Sequence, residues 1–206
     1  GFFFQESASR TNASARRVIP IELLKKGGCN ACPLSVLERK IKSPKMAPTG
    51  SQEPVVYWLG DWPSEADTDK GRQFAGQSSR SFFRPVPDHV WKLSRFSNAV
   101  RCRHPNNDKP TDVIKACCGS LTERDIEETK PVVVVGLGEE PLQWATGLSN
   151  VHTWRGTVFP IKVGTHACWF YSILHPAFVE AKRGKYGSSE FDVTQDIDLP
   201  RFLDWL

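Results

Sequence analysis

Lys130-Pro131-Val132-Val133-Val134-Val135-Gly136-Leu137-Gly138 decides the fold class. Pro131 closes the helix before it, since proline has no N–H to give and its ring clashes with the preceding turn. The apolar run that follows is β-branched and unbroken. A half-exposed strand alternates apolar with polar residues, so an unbroken run marks a strand covered on both faces, as in a parallel sheet. Val55-Val56-Tyr57-Trp58-Leu59 has the same character and stops at Gly60. Trp169-Phe170-Tyr171-Ser172-Ile173-Leu174 is a third such run, ending at His175-Pro176, and Phe96 to Arg101 is a weaker fourth. Residues 111–128 mix apolar and charged positions at helical spacing, with Thr111 or Asp112 as N-cap, and Glu139 to Thr146 suits a helix. Strands alternating with helices predict an α/β fold: a three-layer α/β/α arrangement around a central, mostly parallel four-stranded sheet. Ligands of such sheets sit outside the carboxyl ends of the strands, here Gly60-Asp61, the region around Asn98, and His175-Pro176.

Residues 1–17 are rich in Ser, Arg, Asn and Ala without periodicity and are expected to be a flexible tail ahead of a single domain over 18–206. Residues 18–26 suggest an extended entry and a short helical turn, and residues 42–53 a loop. Hydrophobic residues make up 39% of the 206, near the globular norm. No apolar run approaches the ~20 residues needed to cross a bilayer. Gly1-Phe2-Phe3-Phe4 is too short for the apolar core of a signal peptide. The expectation is a monomer, not membrane-bound, inside the cell: cytoplasmic or, in a eukaryote, nuclear. The net charge of +4 permits a nucleic-acid partner without arguing for one. Basic residues cluster at Arg101, Arg103 and Lys109 and again at Lys182, Arg183 and Lys185; a solvated basic face is the ordinary reading of either group.

Six cysteines in such a chain point to metal ligands, catalytic groups or small buried hydrophobes before disulfides. Cys29-Asn30-Ala31-Cys32 sets two thiolates on one tight turn, within reach of one metal centre. Cys102, after a charged loop, and Cys117 or Cys118, inside the helix, make a four-thiolate site plausible. Thiolates at these spacings suit a structural zinc and an iron–sulfur cluster equally. Cys168, inside a strand, is expected to be a buried small hydrophobe.

Six segments together resemble the thermophile-type (family 4) uracil-DNA glycosylases. Cys29-Asn30-Ala31-Cys32-Pro33-Leu34 is similar to the family's CxxCPL. Gly60-Asp61-Trp62-Pro63-Ser64-Glu65-Ala66-Asp67 and Gly71-Arg72-Gln73-Phe74-Ala75-Gly76 look like its ungapped GExPGxxED…GRPFVG. Ser97-Asn98-Ala99-Val100-Arg101-Cys102-Arg103 is similar to TNVVKCRP, Lys130 to Gly138 to RPKVIVALG, and Leu174-His175-Pro176-Ala177 to its HPA element. The resemblance covers about residues 29–183, in one order. It implies a [4Fe–4S] cluster on Cys29, Cys32, Cys102 and Cys118, with Cys117 as rival fourth ligand and structural zinc as the alternative cofactor. Ungapped counting favours Cys118.

The resemblance also implies excision of uracil from DNA by base flipping and hydrolysis of the N-glycosidic bond. In that reading Gly60, Asp67, Phe74 and Asn98 bind the base, with Phe74 as its stacking face. The Asn98 amide would accept from uracil N3–H and donate to O4, a pattern that cytosine reverses. His175 would donate to O2 as negative charge develops, and Asp61 would activate water or stabilise the sugar cation. Phe178, Lys182 and Arg183 would grip DNA. The chain departs from the pattern at Asp61, where the family has Glu, at Trp62, and at Ser64. One methylene moves a carboxylate by ~1.5 Å, and a ~1 Å misplacement can cost ~10²-fold in rate. These departures support an alternative: a catalytically weakened or inactive DNA-binding domain of the same fold, within a replication protein. A subfamily that crosslinks itself to abasic sites is disfavoured, because no KRRIH-like insertion follows Asn98 and Cys102 is retained.

Overall fold

The computed structural model describes residues 20–35, 45–186 and 193–206, with Arg183, Gly184 and Tyr186 described by their backbone alone. The tail expected over residues 1–17 lies outside the described residues, as do 18, 19 and 42–44.

Six strands form one sheet: β1 (Thr49–Gly50), β2 (Val56–Gly60), β3 (Ser94–Asn98), β4 (Val133–Leu137), β5 (Val158–Val163) and β6 (His166–Ile173), in the order β1-β3-β2-β4-β6-β5. The four runs read from the sequence are its centre, and their contacts are parallel throughout. The expectation of four strands is corrected to six by two antiparallel edges, β1 on β3 and β5 on β6. β1 is two residues long and sits among Pro, Gly and Ser, so no periodicity marks it. β5 is an edge strand only partly buried, which lets Pro160 stand in it, since an edge position does not need its N–H. Gly164-Thr165 turns it into β6, with Val163 paired to His166.

Successive side chains on β2 and β4 go to opposite faces. Val56, Trp58, Val133, Val135 and Leu137 pack with Phe82 and Phe83 of α3 (Gln77–Phe83) and Phe202 of α9 (Leu199–Trp205). Tyr57, Leu59 and Val134 pack with Ile126 of α5 (Asp112–Thr129), Leu142 of α6 (Glu139–Thr146), Val151 of α7 (Val151–Trp154) and Val179 of α8 (Pro176–Tyr186). Helices thus cover both faces, giving three layers. Cys168 is buried in the second of these clusters, as a small hydrophobe would be. α5 begins at the expected cap: Thr111 accepts from the Ile114 N–H at 3.4 Å. It ends at Lys130 in the left-handed conformation, one residue before Pro131. The remaining helices are α1 (Ile21–Gly27), α2 (Glu65–Lys70) and α4 (Asp88–Lys92). Among the described residues, no helix is long and apolar enough to cross a membrane.

One polar network is sealed inside. Arg95 on β3 holds Asp125 of α5 through two guanidinium N–H groups, at 2.9 and 2.7 Å, and the Tyr57 hydroxyl donates to the same carboxylate at 2.6 Å. Burial alone would raise the pKa of Asp125, but the Arg95 and Tyr57 hydrogen bonds hold it below the usual carboxylate range.

Candidate active site

Gly60 and Asn98 are register partners at the ends of β2 and β3. The chain then leaves both strands as a pair, the Ala99 N–H donating to Gly60 O at 2.8 Å and the Val100 N–H to Asp61 O at 3.0 Å. Gly60 has to lack a side chain, because the Asn98 Oδ1 and the edge of the Phe74 ring fill the space a β-carbon would take.

The loop after β2 brings Phe74 over this floor. Ser64 caps α2 by accepting from the Asp67 N–H at 3.2 Å, and Asp67 Oδ2 returns the bond by accepting from the Ser64 N–H at 2.8 Å. The other oxygen, Oδ1, accepts from the Ala75 N–H at 2.5 Å. Asp67 is thus committed to two backbone amides, those of Ser64 and Ala75, eleven residues apart in the same loop. Arg80 adds a bond to Ala75 O at 2.7 Å. Between these anchors Phe74 is forced to φ 52°, a left-handed conformation that an aromatic residue adopts only when its surroundings over-determine it. Its ring meets Phe83 and Phe96 edge-on, centroids 5.5 and 6.1 Å away.

His175 follows β6 and precedes α8. Its Nδ1 accepts from the Ala177 N–H at 3.1 Å, which leaves the proton of the neutral ring on Nε2. Burial pushes its pKa down to about 4, with the Asp67 charge pulling the other way, so the ring is neutral at pH 7. Phe74, Asn98, His175 and Asp67 line one cavity of about 480 Å³, with Trp62 and Ser64. Trp62 is tied there by its indole N–H, which donates to Asn107 Oδ1 at 3.0 Å.

Asp61 sits beside this cavity without being one of its lining residues. Its carboxylate faces the start of α6: Oδ1 accepts from the Glu140 N–H at 3.1 Å, and both oxygens lie 2.8 Å from where a β-carbon on Gly138 would stand. Burial raises its pKa to about 7, the Glu140 N–H opposing the rise and the Glu140 charge adding to it. Glu140 is itself buried and meets Lys109 and Lys115, each at 3.1 Å.

Cys32, Cys102, Cys117 and Cys118 are buried in one apolar cluster with Leu24, Leu34, Val100 and Ile114. Burial raises the pKa of Cys117 to about 11, with Cys32, Cys118 and Cys29 adding to the rise; its thiol hydrogen-bonds to Cys32. Cys118 is raised by burial as well, and it accepts from the Arg101 N–H while feeling Cys32 and Cys29. Cys118 thus lies between the CxxC turn and the Arg101-Cys102 segment. The donors are soft thiols gathered from three segments, which suits the group the sequence implied. Among the described residues, however, no three His, Cys, Asp or Glu side chains already converge as a metal ion needs.

Phe178 on α8 is half-buried, its ring 5.3 Å edge-on to His152, with the Lys182 ammonium 5.3 Å above it. The Arg183 side chain lies outside the described residues. Sequence reasoning passed over one buried residue at the site, Gln73, which bonds to Asn98 at 2.7 Å. The available signal was a departure: Gln73 stands where the resembled GRPFVG segment has Pro.

A family model described as "Uracil DNA glycosylase superfamily" matches residues 47–196. The chain is similar to proteins named "Type-4 uracil-DNA glycosylase" from three organisms. The one from Thermotoga maritima is 29% identical over 56% of this chain and 59% of its own length. That from Archaeoglobus fulgidus is 24% identical over 73% and 77%, and that from Saccharolobus solfataricus 26% over 62% and 63%. The match with the Thermotoga protein therefore spans less than two thirds of that relative.

Proposed function

We propose that the chain, which belongs to the uracil DNA glycosylase superfamily, excises uracil from DNA in base-excision repair, as the names of its relatives suggest. The observation that carries this reading is the convergence of Phe74, Asn98 and His175 on one cavity at the carboxyl ends of the strands. A flipped uracil stacks on Phe74, and the Asn98 amide pairs with its N3–H and O4. Gly60 leaves the room for that fit, and Asp67 holds the Phe74 turn. The C1′–N1 bond breaks, the pair of electrons goes to the base, water adds to C1′, and the proton the water loses passes to solvent or to the departing uracil anion. Negative charge gathers on uracil O2, towards which His175 offers its Nε2–H. A neutral donor fits this task, and preorganised donors of the kind are worth about 3–4 kcal/mol of barrier. Asp61, ionised, stabilises the sugar cation or orients the water.

Cys29, Cys32, Cys102 and Cys118 would hold a [4Fe–4S] cluster, with structural zinc as the alternative. Such a cluster would tie the CxxC turn, the segment after Asn98 and α5 together, away from the base. Phe178, Lys182 and Arg183 contact the DNA backbone. The protein works as a monomer inside the cell.

One observation favours the second reading, a DNA-binding domain with weakened catalysis: the Asp61 carboxylate is turned towards Gly138 and Glu140. An assay on a uracil-containing oligonucleotide separates the two. Abasic product from the wild type and much slower, still measurable product from Asn98→Ala is expected. No product at high enzyme excess would sink the first reading and leave the second.

A further inference from the structure

Asn98 is 2% exposed and Gln73 6% exposed, and the two amides form a chain with a defined direction. Asn98 Nδ2 donates to Gln73 Oε1 at 2.7 Å, and Gln73 Nε2 donates to the backbone carbonyl of Ala47 at 3.0 Å. An amide has nearly the same shape either way round, so packing alone cannot orient it. The far end of the chain can. A backbone carbonyl only accepts. Ala47 O therefore requires the NH₂ of Gln73, which turns Gln73 Oε1 to Asn98, which in turn requires the NH₂ of Asn98. Ala47 is held in place from both sides: the Met46 N–H bonds to Arg101 O at 2.8 Å, and Thr49 pairs with Phe96.

We propose that Gln73 is a specificity-determining positioning residue: it locks the polarity of the Asn98 amide and so sets the preference for uracil over cytosine. This rests on the reading of the cavity as a uracil site. Flipping Asn98 would face Oδ1 to Oε1, two buried acceptors without a proton between them. Flipping both amides would move the same conflict to Ala47 O. An unsatisfied buried acceptor disfavours either arrangement by about 5- to 150-fold. In the locked orientation Oδ1 and the second Nδ2–H remain for the base. Uracil presents N3–H and O4, which match; cytosine presents N3 and an NH₂, which oppose both groups. Gln73 is not one of the residues lining the cavity, so it acts through Asn98.

The test is a double-mutant cycle on the full chain with Gln73→Met, which keeps length and removes both hydrogen bonds. Single-turnover uracil excision should fall by about 10- to 100-fold, the scale set by a misplaced binding group. Affinity for the abasic product oligonucleotide, which has no base for the amide to read, should not change. In an Asn98→Ala background the same substitution should cost nothing further. An equal loss in both backgrounds, or no loss in the wild type, overturns the proposal. The side-chain amide signals of Asn98 in a ¹⁵N–¹H spectrum provide an arm that needs neither activity nor a folded variant. One Nδ2 proton of the wild type should be shifted and slow to exchange. Two Nδ2 protons that both exchange as fast as those of an exposed amide overturn the proposal, whereas a wild type without glycosylase activity sinks only the functional reading.

Discussion

The Asp61 carboxylate occupies the space that a side chain on Gly138 would need, both oxygens lying 2.8 Å from the absent β-carbon. Gly138 adopts φ 109° and ψ −167°, a region essentially reserved for glycine. The backbone after β4 is thus shaped around a carboxylate delivered by the loop after β2. Gly138→Ala should destabilise the protein by about 1–3 kcal/mol in chemical denaturation, from backbone strain alone. Excision should also fall, because Asp61 is driven from its niche. A variant of unchanged stability and activity would show that the niche does not matter.

Asp61 and His175 predict opposite pH dependences of stability. The folded protein raises Asp61 from 3.8 to about 7, so the native state binds its proton more tightly than the unfolded chain. That contribution is full below pH 4 and is lost as pH rises to 7. His175 is lowered from 6.5 to about 4, so the unfolded chain takes up the proton first. Its contribution is full above pH 6.5 and is lost as pH falls to 4. Denaturation across pH 4–7 should therefore show Asp61→Asn steeper on the acid side than wild type, and His175→Gln with the acid loss reduced.

Excision should carry the same signature. If the ionised Asp61 acts, single-turnover rates should drop about tenfold per pH unit below its pKa. The rise through pH 7 should vanish in Asp61→Asn, whose residual rate should be flat. A pH-independent wild type would remove Asp61 from the chemistry.

Asp125 closes the network of Arg95 and Tyr57. Removing one partner of a buried pair strands the other, so Asp125→Ala should cost about 3–5 kcal/mol. Tyr57→Phe, which removes one donor to the charged carboxylate, should cost about 1.5–3 kcal/mol. Urea denaturation checks both, and equal costs would contradict the ordering.

The rival cysteines can be separated by their metal. Cys118→Ser should lose iron and the absorbance near 400 nm of anaerobically purified protein, whereas Cys117→Ser and Cys168→Ser should keep both. Zinc in place of iron in the wild type would establish the alternative cofactor, and loss of iron in Cys117→Ser alone would exchange the two helical ligands.

The central strands were legible because Val132–Val135 and Val55–Leu59 are apolar without interruption, and burial on both faces demands that of any sequence. Thr111 was legible as a cap because the preference is local. The edges were not: Thr49–Gly50 is strand only because Phe96 and Arg95 lie beside it, and β5 tolerates Pro160 only by being an edge. Phe74, Asn98 and His175 were nameable from their motifs, and the fold brings them to one cavity. Nothing in the sequence around Asp61 tells that its carboxylate turns towards Gly138, 77 positions on, since that depends on β2 and β4 being neighbours.

The sequence by itself determined the strand-and-helix alternation, the carboxyl-end location of the candidate site and the thiols available to a metal, because hydrophobic periodicity and residue chemistry are properties of the chain. Only the tertiary structure decided which way the site's polar groups face. Asn98 takes its polarity from Gln73 and Ala47, His175 its tautomer from Ala177, and Asp61 its raised pKa from burial beside Glu140. Hydrogen bonds have direction and charges have surroundings, and both are set by neighbours in space.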